Sequence, residues 1–165
     1  MSQVESISND QILACFDQAM EQTFEAFFFS EAVRKPDDLK VEFCDKDRIE
    51  VELIFRGPFS GHLHLQVTRS TAAALVGSLP LPNTEICDSV ISDLFAELTN
   101  TVGGRIAAAL AGSDFAFDLT IPEVKFGSSA VHPNGLSRAY DTDFGPVILS
   151  VSHLKESKSE ERKGA

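Results

Sequence analysis

Apolar residues recur along this chain with two different periods, and the points where the period changes divide it into elements. After Ser8-Asn9-Asp10, which can cap a helix, Ile12, Leu13, Phe16, Met20, Phe24 and Phe27 fall every three or four residues. That spacing predicts an amphipathic helix ending before Pro36. The period then drops to two. Residues 39–44 and 49–55 alternate around an Asp45-Lys46-Asp47 turn, and beyond Gly57-Pro58 residues 61–67 alternate again. Ser70 opens a short Ala-rich helix that Pro80 and Pro82 close. A long helix is predicted over about residues 84–111, followed by strands at 116–126 and 146–151. Residues 127–143, rich in Ser, Gly, Asn and Asp, read as a loop or hairpin connection. Residues 155–165 have almost no apolar content and are expected to be a disordered tail after a single domain of residues 1–154.

An internal repeat runs through this pattern. Each half holds a helix with Asp-x-x-x-Glu, Asp17 and Glu21 in the first and Asp93 and Glu97 in the second. Each half also closes on a matching strand, Gly61, Leu63, Leu65, Val67 against Gly145, Val147, Leu149, Val151. With the order helix, strands, helix, strands, this predicts an α+β fold with two similar halves. They would share one antiparallel sheet, covered on one face by the two long helices. Leu63, Leu65, Val67, Val147, Leu149, Val151, Leu94 and Leu98 are its expected core.

Composition narrows the function. A formal net charge of −11 argues against nucleic acid and anionic membrane surfaces, which need clustered Lys and Arg. Cys15, Cys44 and Cys87 are far apart and odd in number, so they fit neither a disulfide framework nor a CxxC metal site. The first ten residues lack the pattern of a signal peptide, and no apolar run approaches membrane-spanning length. The expectation is a soluble, cytoplasmic protein.

The chemistry concentrates on the second long helix. At roughly 100° per residue, Ile91, Leu94, Phe95, Leu98, Val102 and Ile106 form one apolar arc. Asp93, Glu97 and Asn100 form a narrow stripe roughly 150° away by the same geometry, and Gly104 extends it by a turn. A carboxylate and a carboxamide therefore stand side by side toward solvent, beside a glycine that lets another backbone come close. Such a stripe is ordinarily a solvated face. Here Asn100 and the Gly103-Gly104 pair are poor helix formers placed mid-helix, at about 1 kcal/mol per glycine relative to Ala, which points to a packing or functional reason.

The Asp93-x-x-x-Glu97-x-x-Asn100 spacing resembles the signature helix of the CheX, CheC and FliY phosphatases of bacterial chemotaxis. Phe55-Arg-Gly-Pro-Phe-Ser-Gly61 is similar to that family's F-x-G-x-x-x-G strand entry, Asn100-Thr-Val-Gly-Gly104 to its N-x-x-x-G continuation, and Pro122-Glu-Val-Lys-Phe-Gly127 to its later P-x-x-x-x-G strand. The resemblance covers roughly residues 10–153. It implies hydrolysis of the aspartyl phosphate of a phosphorylated CheY-like response regulator. Glu97 would pair with the regulator's lysine and Asn100 would orient the attacking water, with Asp93 and Gly104 as further binding positions. The Mg²⁺ would belong to the regulator, so no cofactor of the chain's own is expected. Two-site members carry E-x-x-N in both halves, whereas here Phe24 follows Glu21 at the Asn spacing and lies on its helix's apolar face. A single site is expected, the CheX arrangement, with pairing through sheet edges into a homodimer. The alternative is a non-catalytic module that docks a response regulator or flagellar-switch partner through the same helix face.

Other constellations are weaker. His62 and His64 alternate on one strand face as two zinc ligands would, but no third ligand follows at recognisable spacing and Gln66 continues the face. A solvated polar face and no metal site are expected. Asp37-Asp38, Asp45-Lys46-Asp47 and Asp141-Thr142-Asp143 lack calcium-loop spacing and read as turns. Ser60, Ser128 and Ser129 have no partnered histidine.

Overall fold

The computed structural model describes residues 7–37, 41–80, 85–112, 117–127 and 135–156. Its first helix, α1 (Asn9–Phe28), starts on a reciprocal cap: Ser8 Oγ accepts from Gln11 N at 3.2 Å, and Gln11 Oε1 accepts from Ser8 N at 2.9 Å. It stops at Phe29, whose φ of 51° is left-handed. There follow β1 (Val33–Arg34), β2 (Arg48–Arg56), β3 (Phe59–Thr68), α2 (Arg69–Ser78), α3 (Asp88–Ala111), β4 (Asp118–Leu119), β5 (Glu123–Phe126), β6 (Leu136–Thr142) and β7 (Gly145–Glu156).

All described strand pairs are antiparallel and form one sheet of seven strands in the order β1-β6-β7-β3-β2-β4, with β5 also on β2. The central pair explains the repeat. Leu63 faces Val151, Leu65 faces Leu149 and Val67 faces Val147. A twofold axis through the Leu65–Leu149 pair exchanges these contacts and relates the two hairpins, β2-β3 and β6-β7. The segments that follow each long helix cross over to the other half: β1 pairs with β6, and β4 and β5 pair with β2. The helices do the same, α1 lying against β6 and α3 against β2.

The eight expected core residues are all buried, with Phe16, Phe24, Met20 and Phe95 filling the helix side. Each such side chain contributes roughly 1.5–3 kcal/mol on burial. Several sequence expectations change. Residues 41–44 form no strand, and 39–40 lie outside the described residues. The short helix is capped by Thr68, which accepts from Thr71 N at 3.2 Å, and not by Ser70. The strand expected at 116–126 is two short strands with Pro122, which has no N–H to pair, between them.

The largest difference is β6, which occupies residues expected to be a loop or hairpin connection. Its inward positions are Arg138 and Tyr140, so the alternation is present but hidden, because one of its inward side chains is charged. Finally, β7 continues through Lys155 and Glu156; residues 157–165 lie outside the described residues. Among the described residues, no helix is long and apolar enough to cross a membrane.

Candidate functional site

The helix α3 is built to hold one face still. Asp88 in its first turn suits the positive end of the helix dipole and accepts from Arg69 at 3.2 Å. Ile91, Leu94, Phe95, Leu98, Val102 and Ile106 are all buried, joined by Thr99, Gly103 and Ala107. Asp93, Glu97 and Asn100 are exposed along the opposite side, as the helical spacing predicts. Among the described residues, no hydrogen bond or ion pair engages the side chain of Glu97 or Asn100; only the Glu97 carbonyl is used, accepting from Thr101 Oγ1 at 2.9 Å. A carboxylate and a carboxamide one turn apart are thus preorganised by the helix and uncommitted among the described residues.

The two mid-helix glycines have different reasons. A Cβ on Gly103 would run into the Leu53 side chain, so this glycine lets α3 lie close on β2. A Cβ on Gly104 would have Leu119 Cδ1 as its nearest neighbour at 4.0 Å, ordinary contact. The fold itself leaves room at Gly104, which is only partly buried beside the stripe.

The first helix does not repeat the site. Moving along the chain by 79 residues carries the buried set of α1 onto buried positions of α3: Ile12 to Ile91, Phe16 to Phe95, Ala19 to Leu98, Met20 to Thr99, Thr23 to Val102, Phe24 to Gly103 and Phe28 to Ala107. The Asp-x-x-x-Glu match of the sequence used a spacing three residues shorter. By burial, the positions of Asp93, Glu97 and Asn100 are taken in α1 by Ala14, Gln18 and Glu21, all exposed. Gln22 Oε1 accepts from Arg105 at 2.9 Å. Glu25 stands at the position of Gly104, with Phe29, 94% exposed, one turn beyond it.

Asp17 is a structural anchor. Its Oδ2 accepts from Arg138 Nη1 at 2.7 Å and its Oδ1 accepts from the Tyr140 hydroxyl at 2.7 Å, tying α1 to β6. Burial, and then Asp17, push the Tyr140 phenol far above its ordinary pKa, which keeps it a donor.

The opposite sheet face corrects the expectation for the histidines. His64 is 1% exposed, and Glu50, Gln66, Ser150 and Ser152 are buried around it, so this is no solvated face. His64 Nδ1 is 2.9 Å from Glu50 Oε1 and its Nε2 is 3.2 Å from Ser152 Oγ. Glu52 lies directly across from His64 on β2. These partners come from strands remote in sequence, which is why spacing along β3 alone did not reveal them. Burial, ahead of the opposing pull of Glu52, lowers the His62 pKa.

The family model described as chemotaxis phosphatase CheX matches residues 51–139, from within β2 to within β6 and including all of α3. No curated protein matches the chain. Solved structures with the same fold include a putative chemotaxis protein from Desulfovibrio vulgaris Hildenborough, with TM-score 0.73, 18% identity, and 91% of this chain and 100% of that one covered. The chemotaxis protein CheX from Vibrio vulnificus has TM-score 0.72 and 15% identity over 91% of this chain and 100% of that one. The CheX-CheY-BeF3-Mg²⁺ complex from Borrelia burgdorferi has TM-score 0.68 and 16% identity over 88% and 98%. At such identities the likeness is one of fold.

Proposed function

The chain belongs to the CheX family of chemotaxis phosphatases, and we propose that it hydrolyses the aspartyl phosphate of a CheY-like response regulator. The observation that carries the reading is the exposed Glu97 and Asn100 pair, uncommitted on a helix whose opposite side is locked in the core. The relative of the same fold in complex with CheY supports the choice of partner.

An acyl phosphate is already reactive and its transfer passes through a loose transition state, so positioning is most of what a catalyst adds. Asn100 is the group that enters the regulator's site. Its carboxamide can donate to and accept from the attacking water without bringing negative charge to the phosphoryl oxygens. Glu97 pairs with the regulator's lysine and sets the docking register, and Asp93 flanks it. Gly104 keeps the surface low where the regulator's backbone approaches. The Mg²⁺ that neutralises the phosphoryl group comes with the regulator, so the reaction draws on no cofactor of this chain.

We propose also that two copies pair through sheet edges, leaving both α3 faces open. A dimer by size measurement is the expected outcome; a strict monomer removes the pairing and leaves the chemistry standing. The catalytic test is the lifetime of the regulator's phosphate with wild type and with Asn100→Ala at equal concentration. Asn100→Ala should bind normally and lose about 10²–10³ in rate, as for removal of one preorganised polar group. Glu97→Ala should weaken binding and turnover together. Equal lifetimes with wild type and Asn100→Ala, with binding intact, would make α3 a docking surface only.

A further inference from the structure

On the sheet face turned away from α1 and α3, three of the chain's four histidines converge on two glutamates. From this we infer a second site: Glu52, His62 and His64 bind a divalent zinc-type cation, with His64 held in place by its buried neighbours.

The ligand geometry comes from strand pairing. Glu52 is opposite His64 in the β2-β3 register, and His62 is two residues along on the same face. Glu52 Oε2 lies 3.6 Å from His64 Nδ1 and 3.9 Å from His62 Nδ1, and one ligand atom from each residue falls within 4.8 Å of the others. Ligand atoms around tetrahedral zinc at about 2.0–2.1 Å sit about 3.3 Å apart, so small side-chain rotations close this triangle onto one ion. Two imidazoles and a carboxylate are a nitrogen and oxygen set that suits zinc. His62 and Glu52 are 34% and 26% exposed, which leaves an entry path from solvent.

The surroundings supply what a bound imidazole needs. Nδ1 of His64 faces both carboxylates and is the ligating atom; Nε2 then carries the proton and donates to Ser152 Oγ at 3.2 Å, which fixes ring and tautomer. Glu50 Oε1, 2.9 Å from the same Nδ1, lies beside the ion's position and adds negative charge there. A third imidazole is brought in by an irregularity. Between the His62–Ser152 and Ser60–Lys155 pairs, β7 carries one extra residue, and His153 has a φ of 54°. Its ring centroid comes within 4.8 Å of that of His62, and its Nδ1 lies 3.1 Å from the Ser152 Oγ that His64 Nε2 also reaches. An imidazolium between Glu50 and Glu52 would account for His64 alone and leaves the gathering of His62 and His153 unexplained.

This site is independent of α3, so its test uses metal binding by the untagged full-length chain. After chelator treatment, Zn²⁺ competition and Co²⁺ absorption spectra are measured on wild type, His62→Ala, Glu52→Gln and His153→Ala. The expected result is one ion per chain and a Co²⁺ spectrum of nitrogen and oxygen ligands. Affinity should fall by about 100-fold or more in His62→Ala and Glu52→Gln and by about 10-fold in His153→Ala. Absence of binding by wild type, binding unchanged in the first two variants, or a thiolate charge-transfer band pointing to the cysteines would each overturn the assignment. The wild-type measurements decide the matter even where a variant folds poorly.

Discussion

Two long helices pack on the same side of the same sheet, yet only α3 carries Glu-x-x-Asn on its exposed side. In α1 the acidic residue Asp17 is spent on Arg138 and Tyr140, and Gln22 on the exposed side is held by Arg105. In α3 the corresponding stripe is left to solvent. The difference lies in which residues stand on that side, Ala14, Gln18 and Glu21 in α1 against Asp93, Glu97 and Asn100 in α3. A polar side chain that completes the chain's own hydrogen bonding stabilises the fold, and one left without a partner on a rigid element is available to another molecule.

The comparison breaks most visibly at Phe24. Phe24→Asn places an amide in a fully buried site and should cost about 3–5 kcal/mol, read as a shift in the urea midpoint, while creating no second site. A variant that stayed stable would mean α1 is less firmly seated than its buried face implies. Next come the two aspartates. Asp17→Ala leaves the guanidinium of Arg138, 7% exposed, with Asp37 at 3.7 Å as its acidic partner among the described residues, and should cost about 1–3 kcal/mol. Asp93→Ala should change stability by less than about 0.5 kcal/mol and be felt only in regulator binding.

The glycines separate in the same way. Gly103→Ala forces α3 off Leu53 and should destabilise by about 1–3 kcal/mol, less the helix propensity gained. Gly104→Ala should stabilise by up to about 1 kcal/mol and weaken binding of the regulator. A Gly104→Ala protein that binds normally would remove that residue from the docking surface. The smallest effect is expected from Gln22→Glu with Glu25→Asn, which writes E-x-x-N onto the exposed face of α1. Stability should move by less than about 0.5 kcal/mol. On an Asn100→Ala background phosphatase activity should stay absent, because Phe29 projects four residues beyond the introduced Asn, where Gly104 leaves room beyond Asn100. Recovery of activity would show that the two side chains suffice.

Much of this was legible in the sequence wherever burial and hydrophobicity coincide. The strands β2, β3 and β7 and the apolar arc of α3 follow from period alone, and with them the outward stripe of Glu97 and Asn100. Period failed where an inward position is polar. Arg138 conceals β6 because its charge is matched by Asp17, 121 residues away, a pairing no local window contains. The same blindness hid the face around His64, whose partners arrive from two other strands. The helix alignment slipped by three residues because matching acids are a weaker guide than matching core positions.

The crossing of helices and outer strands between the halves bears on how the chain acquires its shape. Each hairpin is roofed by the other half's helix, α1 over β6 and α3 over β2, and edged by the other half's short strands. Neither half can shield its own hairpin, so a chain divided between α2 and α3 would yield two fragments that become ordered only on meeting. Unfolding should accordingly be a single event, with no surviving half, and the fold has the topology of two identical short chains that once exchanged their helices.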